Sequence, residues 1–231
     1  MKRKHVLGMA LGALIGAFAL AGCAGRPSSA PAAAQTFPDP PKASMPATGS
    51  QVAVLSGGCF WGVEGVFERL KGVIDIKVGY SGGEASTAQY EMVSTGSTGH
   101  AESVQITYNP SLISFGTLLK VFFSVACDPT ELNFQGPDHG TQYRSVIFYS
   151  TDEQKQTAES YIAQLDRAHI FSQPIVTQVV PLKAFYPAED YHQNFMDNNP
   201  AYPYILMYDR PKVQALERAF PDLLSGKQPT L

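Results

Sequence analysis

Apolar and polar residues follow strand-like and helix-like patterns along most of the chain. The apolar run Val52 to Leu55 predicts a strand, and the apolar positions after it recur every three or four residues and predict a helix ending at Lys71-Gly72. Val73 to Val78 alternates as a second strand and leads into the turn-rich loop Gly79 to Gly83. The pattern predicts a β-α-β unit whose first turn carries Cys59. The buried face of its helix is predicted to be Val63, Val66, Phe67 and Leu70.

The rest of the chain continues this alternation of strands and helices, which predicts an α+β fold. We expect a two-layer α/β sandwich, with a ferredoxin-like mixed sheet, packed helices and an irregular C-terminal tail. The further predicted strands are Ala101 to Tyr108, Ser145 to Tyr149 and Ile175 to Val180. The further predicted helices are Ser114 to Val125, Thr151 to Arg167, a short helix near Phe185 to Gln193, and Lys212 to Phe220.

The N-terminus has the pattern of an export signal. A basic start, Met1 to Lys4, precedes an apolar run from Val6 to Gly22. The length of this run is at the lower limit of about 17 residues for a membrane span. A transmembrane anchor is therefore the alternative. The sequence Leu-Ala-Gly-Cys at residues 20–23 resembles a bacterial lipoprotein signal, which implies that Cys23 becomes the lipid-modified first residue. Ala24 after it resembles outer-membrane sorting, with the protein facing the periplasm.

A segment rich in alanine and proline separates this signal from the predicted domain. We expect residues 23–50 to form the lipid anchor and an extended tether several tens of ångströms long, at about 3.1 Å per residue. The alternative is a tail that docks on the domain through Phe37. The predicted division is therefore a signal peptide at 1–22, the anchor and linker at 23–50, a catalytic domain at 51–224 and a tail at 225–231.

Composition limits the classes of function. The chain has 231 residues, 44% of them hydrophobic, which suits one domain plus an extension, and its net charge of −3 gives no reason to expect nucleic-acid binding. The catalytic domain is expected to be monomeric. The three cysteines, Cys23, Cys59 and Cys127, have no Cys-x-x-Cys spacing, and the five histidines have no metal-ligand spacing, so we predict neither a metal site nor a disulfide framework.

Cys59 is the strongest candidate for chemistry. It lies at a predicted strand-to-helix turn, where unpaired N–H groups and the helix dipole favour the thiolate and are expected to lower its pKa. Phe60 and Trp61, the latter the only tryptophan, place two aromatic faces beside the sulfur and would hold a small apolar group. The alternative is a small buried cysteine among core aromatics.

Several polar residues could assist this cysteine. Glu102 would act as a general acid if it were buried, and otherwise is an exposed strand carboxylate. A Cys-His hydrolase that uses His100 or His192 is the rival enzyme. Asp138 and Tyr143 lie in a polar segment before a strand. A role in the site is weighed equally against a loop cap at Asp138 and a packed aromatic at Tyr143. For Tyr80, the alternative to a role in the site is a packed loop aromatic.

Five segments are informative when taken together. They are Gly58 to Gly62, Gly79 to Gly83, Gly99 to Glu102, Gly140 to Ser145 and Glu189 to Gln193. In this order they resemble peptide methionine sulfoxide reductases of the A type, over about residues 51 to 220.

The resemblance implies that Cys59 attacks the sulfoxide sulfur of the S epimer and becomes a sulfenic acid, that Phe60 and Trp61 hold the methyl group, and that Glu102 donates a proton to the oxygen. It further implies that Tyr80 and Tyr143 hydrogen-bond that oxygen while Asp138 orients the polar side.

The chain departs from this family pattern in its recycling cysteine. Many relatives have resolving cysteines in the C-terminal tail, whereas here the last cysteine is Cys127. Either an external thiol, such as a thioredoxin-like protein, reduces the sulfenic acid, or Cys127 resolves Cys59 through a disulfide, which needs Cα atoms about 4.4 to 6.8 Å apart. We favour the first. No bound cofactor is expected. A non-catalytic lipoprotein that binds peptides is the alternative from another class.

Overall fold

A mixed six-stranded sheet forms the centre of the protein. The computed structural model describes residues 37–41 and 49–226. The strands of the sheet are in the order β7-β6-β1-β3-β2-β8, and all neighbours are antiparallel except β6 and β7. A separate two-stranded hairpin consists of β4 and β5. The strands are β1 Gln51–Ser56, β2 Val73–Ser81, β3 Ala101–Tyr108, β4 Phe134–Gln135, β5 Asp138–His139, β6 Val146–Tyr149, β7 Gln178–Pro181 and β8 Phe185–Pro187.

Helices pack against this sheet as the alternating pattern predicts. Ser114 and Thr151 cap two of them, since each side-chain oxygen accepts a hydrogen bond from a backbone N–H three residues later. π-helical turns extend α3 at Phe122–Ala126 and precede α6 at Ile205–Asp209. The α-helices are α1 Phe60–Phe67, α2 Tyr90–Val93, α3 Phe115–Val121, α4 Asp152–Arg167, α5 Phe195–Asn198 and α6 Arg210–Ala219. Short 3₁₀ turns lie at Ala85–Thr87, Thr141–Tyr143, Asp190–His192 and Pro221–Leu223.

The predicted β-α-β unit is a split one. β1 and β2 do not pair with each other, because β3 lies between them and is antiparallel to both. The helix of the unit ends at Phe67, before the predicted stop, but Gly72 still makes the turn into β2 with φ of +90°. All four residues of its predicted apolar face are buried.

The largest departures from the predicted elements lie after residue 170. β7 begins at Gln178, later than the predicted Ile175, because Val176 instead donates its backbone N–H to Pro129. The prediction of a short helix near Phe185 to Gln193 is wrong for the first half of that segment. Phe185–Pro187 forms edge strand β8, and only Asp190–His192 is helical, as one 3₁₀ turn.

Part of the predicted tether packs on the domain. The Phe37 ring lies edge-on to Phe171 at 5.8 Å, and the Tyr161 hydroxyl donates to the carbonyl of Pro38 at 3.0 Å. Asp39 forms an ion pair with Lys120 on α3 at 2.7 Å. Residues 37–41 therefore bridge α3 and α4. Cys23 and the predicted signal peptide lie outside the described residues. Within the described ranges, the structure contains no helix with the length and hydropathy needed to cross a membrane.

Candidate active site

Sheet topology brings Cys59 and Glu102 together. Because β1 and β3 are antiparallel, the end of β1 lies beside the start of β3, where Glu102 is the second residue. Gly58 adopts φ of +92° at the turn after β1, and its N–H donates to the carbonyl of Tyr143 at 3.2 Å. Cys59 is then the N-cap residue of α1, and the next N–H, of Phe60, donates to the Glu102 carboxyl at 3.1 Å.

These residues line a small cavity of about 200 Å³. Its wall is mostly aromatic, with three carboxyl or thiol groups directed into it. Such a cavity suits a small ligand with one apolar and one polar end. The lining residues are Cys59, Phe60, Trp61, Tyr90, Glu102, Asp138, Tyr143, Tyr202 and Tyr204.

Glu102 is buried, which favours the general acid over the exposed strand carboxylate. Only 3% of its surface is exposed. Loss of solvent raises the pKa of this carboxyl to about 8, and the hydrogen bond from the Phe60 N–H offsets only part of this effect. Glu102 is therefore protonated at neutral pH and can donate a proton to a bound ligand.

The predicted lowering of the pKa of Cys59 is wrong. Burial is the largest cause and raises the thiol pKa well above its usual value, and the nearby carboxyls of Glu102 and Asp209 add to this rise. The backbone N–H of Trp61 favours the thiolate, as expected at a helix start, but this effect is smaller. Cys59 is thus a protonated thiol.

Aromatic side chains hold Trp61 on both sides. The indole stacks on Phe195 at 3.8 Å with an interplanar angle of 10°. Tyr202 and Tyr204 contact it edge-on, at 6.3 and 6.1 Å between ring centroids. Phe60 is 1% exposed and closes the inner wall. The result is an apolar wall beside the sulfur.

The opposite wall is polar. The Tyr204 hydroxyl donates to Asp138, and burial raises the pKa of that carboxyl. Burial likewise raises the pKa of Tyr143, so its hydroxyl keeps its proton. Arg144 fixes this wall in place by donating to the carbonyls of Gly99 and His100 as well as Thr141. Among the lining residues, Tyr143 therefore keeps a neutral hydroxyl that can donate a hydrogen bond.

Tyr80, which the resemblance places on the substrate oxygen, lies outside the cavity lining. Its side chain is fully buried behind Phe60 at 5.9 Å, and its hydroxyl donates to Glu189 at 2.9 Å. Tyr90 lines the cavity instead. Tyr90, Tyr202 and Tyr204 line the cavity without having been predicted from the sequence. The only signal for Tyr202 and Tyr204 was their position on either side of Pro203 in an otherwise irregular tail, and Tyr90 had none.

The histidines are engaged elsewhere. His100 accepts from the Gly83 N–H and contacts the Glu84 carbonyl, so both of its ring nitrogens are used by one loop. His192 accepts a hydrogen bond from the Trp61 indole. Among the described residues that line the cavity there is no histidine, and the described part of the chain shows no group of three or more His, Cys, Asp or Glu side chains arranged to hold a metal ion.

Cys127 packs against the turn that precedes the nucleophile. A Cβ placed on Gly57 would lie 2.7 Å from the Cβ of Cys127, so this position accepts only glycine. The Cys127 sulfur lies 3.8 Å from the Ser145 hydroxyl and 3.7 Å from the carbonyl of Phe122. Burial raises its thiol pKa to about 12. Both described cysteines are free thiols.

A buried thiol beside a protonated carboxyl, at one end of a curled mixed sheet, defines a thiol-dependent oxidoreductase. A family model described as peptide methionine sulfoxide reductase matches residues 51–223. The chain belongs to this family.

Relatives and solved structures agree with this assignment. Peptide methionine sulfoxide reductase MsrA 2 of Mesorhizobium japonicum is 59% identical over 78% of this chain and 93% of that protein. The MsrA 2 of Synechocystis sp. is 52% identical over 80% of this chain and 86% of that protein. The reduced form of Mxr1 from Saccharomyces cerevisiae superposes with a TM-score of 0.61 at 36% identity, over 66% of this chain and 87% of Mxr1. Methionine sulfoxide reductase A of Corynebacterium diphtheriae superposes with a TM-score of 0.58 at 33% identity, over 68% of this chain and 78% of that protein.

Proposed function

We propose that the protein reduces the S epimer of methionine sulfoxide, free or within polypeptides, through a sulfenic acid on Cys59. The observation that carries this proposal is the placement of a buried thiol and a protonated Glu102 on one aromatic cavity, joined through the Phe60 N–H. The cavity volume of about 200 Å³ leaves room for the methyl sulfoxide end of the side chain.

The reaction needs no bound cofactor. Glu102 donates its proton to the sulfoxide oxygen, and the Cys59 sulfur attacks the substrate sulfur while its own proton passes to the Glu102 carboxylate. The attack forms a bond between the two sulfurs, and the S–O bond of the substrate breaks, so the oxygen leaves as hydroxide with the proton from Glu102. This hydroxide adds to the Cys59 sulfur, which breaks the new S–S bond, releases methionine and leaves Cys59 as a sulfenic acid. The substrate sulfur is reduced by two electrons and the cysteine sulfur is oxidised by two.

Other residues that line the cavity bind and orient the substrate. Phe60 and Trp61 hold the methyl group, and the protonated hydroxyls of Tyr143 and Tyr90 donate to the sulfoxide oxygen. Asp138 holds the Tyr204 hydroxyl in place. The contact of Tyr80 with Glu189 favours Tyr90 over Tyr80 for the second donor.

An external thiol resets the enzyme. One thiol attacks the sulfenic acid and releases water, and a second thiol resolves the mixed disulfide and restores Cys59. A thioredoxin-like protein supplies both thiols. The high thiol pKa of Cys127 supports this route over an internal disulfide.

The enzyme is proposed to act outside the cytoplasm. The Leu-Ala-Gly-Cys sequence supports lipid attachment at Cys23, and Ala24 after it supports sorting to the outer membrane, where the enzyme would repair oxidised proteins. Because residues 37–41 pack on the domain, only residues 24–36 would separate it from the lipid. Mass spectrometry and fractionation of wild type and Cys23→Ala test this placement, which a soluble, unmodified wild-type protein would contradict.

The geometry favours this activity over the two alternatives. A Cys-His hydrolase needs an imidazole beside Cys59, and both His100 and His192 are engaged by other groups. A passive binding module gives no reason to bury Glu102 in its protonated form.

The test compares wild type, Cys59→Ala and Cys127→Ala with each sulfoxide epimer and a small dithiol. We expect S-epimer reduction by wild type and Cys127→Ala and none by Cys59→Ala. Sulfoxide reduction by Cys59→Ala contradicts the proposal.

A further inference from the structure

The C-terminal segment that supplies two tyrosines to the cavity continues into an exposed apolar surface. The π-helical turn Ile205–Asp209 follows these tyrosines directly. Its outward side carries Leu206, Met207 and Tyr208, which are 45%, 63% and 37% exposed, and residues 202–208 contain no charged side chain. Contiguous exposed apolar residues mark interaction surfaces, whereas single ones need no explanation. We call Tyr202, Leu206, Met207 and Tyr208 the tail surface.

Two contacts join the tail surface to the cavity wall. The backbone N–H of Leu206 donates to the carbonyl of Tyr202 at 3.0 Å, and this spacing of four residues places both side chains on one face of the helical segment. The ring of Tyr208 lies 5.0 Å from the ring of Tyr204, again four residues away. Tyr202 and Tyr204 both line the cavity. Two rows of side chains therefore begin at the cavity and continue onto the exposed surface.

The inner side of the π-helical turn is fixed in the core. Ile205 and Asp209, its first and last residues, are fully buried, and Ile205 packs with Met196 and Val213. The three residues between them face outward because the turn is anchored at both ends. A surface that is already held in place binds a flexible chain at a lower entropic cost than one that must first be ordered.

We propose that the tail surface binds the residues next to the oxidised methionine of an unfolded polypeptide and favours apolar side chains at those positions. The inference rests on the proposed function and names the substrate that the site prefers. Tyr202 is 47% exposed, more than any other lining residue that the structure describes, so it marks the side on which a polypeptide leaves the cavity. The chain beside the methionine therefore crosses the tail surface.

The chemistry of the tail surface selects this occupant. Free methionine sulfoxide carries a charged amino group and a charged carboxylate on its α-carbon, and neither gains from contact with apolar side chains. In folded proteins large apolar side chains are mostly buried. A partner that offers several of them beside a methionine is therefore an unfolded segment.

Kinetics with matched substrates test the tail surface on the full-length protein, with a small dithiol as reductant. The substrates are free methionine S-sulfoxide and two blocked pentapeptides with a central methionine S-sulfoxide, one flanked by leucine and one by serine. Wild type should prefer the leucine peptide. The double variant Leu206→Ser with Met207→Ser should raise KM for that peptide about tenfold and leave its kcat unchanged, because only apolar binding is lost. The other two substrates should keep their wild-type constants.

Two control proteins keep the test specific to the apolar character of this surface. Leu206→Met with Met207→Leu retains apolar side chains and should behave as wild type. Leu112→Ser removes a side chain that is 67% exposed, in the loop that follows Tyr108 at the opposite end of β3 from Glu102. It should leave the constants for all three substrates unchanged.

Each other kinetic result overturns the inference. An equal rise in KM for free sulfoxide would show that Leu206 and Met207 only support the cavity, and unchanged constants for the leucine peptide would show that it does not contact them. A loss that occurs only with a thioredoxin-like reductant assigns the surface to the reductant. A wild-type dimer in analytical ultracentrifugation that the double variant dissociates assigns it to a second copy of the chain.

A binding measurement separates this inference from the proposed function. Fluorescence anisotropy of a dye-labelled leucine peptide with unoxidised methionine requires no turnover, and its Kd should be about tenfold higher for the double variant than for wild type. If wild type reduces no sulfoxide, the proposed function is wrong, and this comparison still decides whether the tail surface binds polypeptide. Equal Kd values for the two proteins overturn the inference.

Discussion

The backbone N–H of Phe60 donates to the carboxyl of Glu102 at 3.1 Å. The residue that follows the nucleophile is thereby tied to the acid, and one hydrogen bond links the turn that carries Cys59 to the strand that carries Glu102. The hydrogen bond favours the carboxylate form, yet burial has the larger effect and keeps the pKa of Glu102 at about 8. The site thus holds its acid in position without ionising it at neutral pH.

Glu102→Gln should lower kcat/KM by roughly 10²- to 10⁴-fold, because glutamine cannot donate the proton that the departing oxygen needs. In wild type, activity should fall as the pH rises through about 8, where Glu102 loses its proton. The variant should lack this alkaline limb. A pH profile of kcat/KM checks both, with Glu159→Gln on the exposed surface of α4 as a control. A variant that keeps the wild-type pH profile would contradict the role of Glu102 as the proton donor.

Asp209→Asn should change how stability depends on pH. Asp209 is fully buried against Gly62, and burial raises its pKa from 3.8 to about 7. The folded state therefore binds the proton more tightly than the unfolded state, and the free energy of unfolding falls as the pH rises from about 4 to 7. Asparagine does not titrate, so the variant lacks this pH-dependent loss of stability.

Urea unfolding at pH 5 and pH 8 measures this effect. The stability lost by wild type between the two pH values should exceed that lost by Asp209→Asn, by on the order of 2 kcal/mol. Asp166→Asn, an exposed aspartate on α4, should behave as wild type. Equal losses in all three proteins would show that Asp209 is already ionised at pH 5.

Cys127 should remain a free thiol after one turnover. Its sulfur packs on Gly57 rather than lining the cavity, and its high pKa leaves it protonated. Thiol titration and peptide mass spectrometry after one equivalent of sulfoxide, without reductant, should show modification of Cys59 alone. A disulfide between Cys59 and Cys127 would reverse the proposed order of recycling.

The segment 37–41 should stabilise the domain. Burial of Phe37 and the hydrogen bond from Tyr161 together contribute about 2 kcal/mol. A chain that begins at Lys42 should therefore melt roughly 4 to 8 °C below one that begins at Thr36. Differential scanning calorimetry compares the two. Equal melting temperatures would show that the segment adds nothing to stability.

The hydrophobic pattern predicts most of the fold because its strands and helices have strong local signals. Leu118 and Phe122, for example, lie at helical spacing, and both are buried as expected. β8 was missed because it is a three-residue edge strand containing Pro187, whose length and composition do not differ from those of a loop.

The site was only partly predictable, since several of its contacts join distant segments. Cys59 and Glu102 have recognisable local sequences, but Tyr90 belongs to a polar segment without periodicity, and only the fold brings it to the cavity. Tyr80 lies in a conspicuous glycine-rich turn, yet its partner Glu189 is 109 residues away. The thiol pKa of Cys59 was misjudged because helix position is visible in sequence whereas burial is not.

A single-turnover experiment on Cys127→Ala without reductant tests whether Cys59 alone reduces the sulfoxide. We expect one equivalent of methionine per protein, formed together with a sulfenic acid on Cys59 that a dimedone-type probe traps. Methionine formation with Cys59 left as an unmodified thiol would contradict the proposed mechanism.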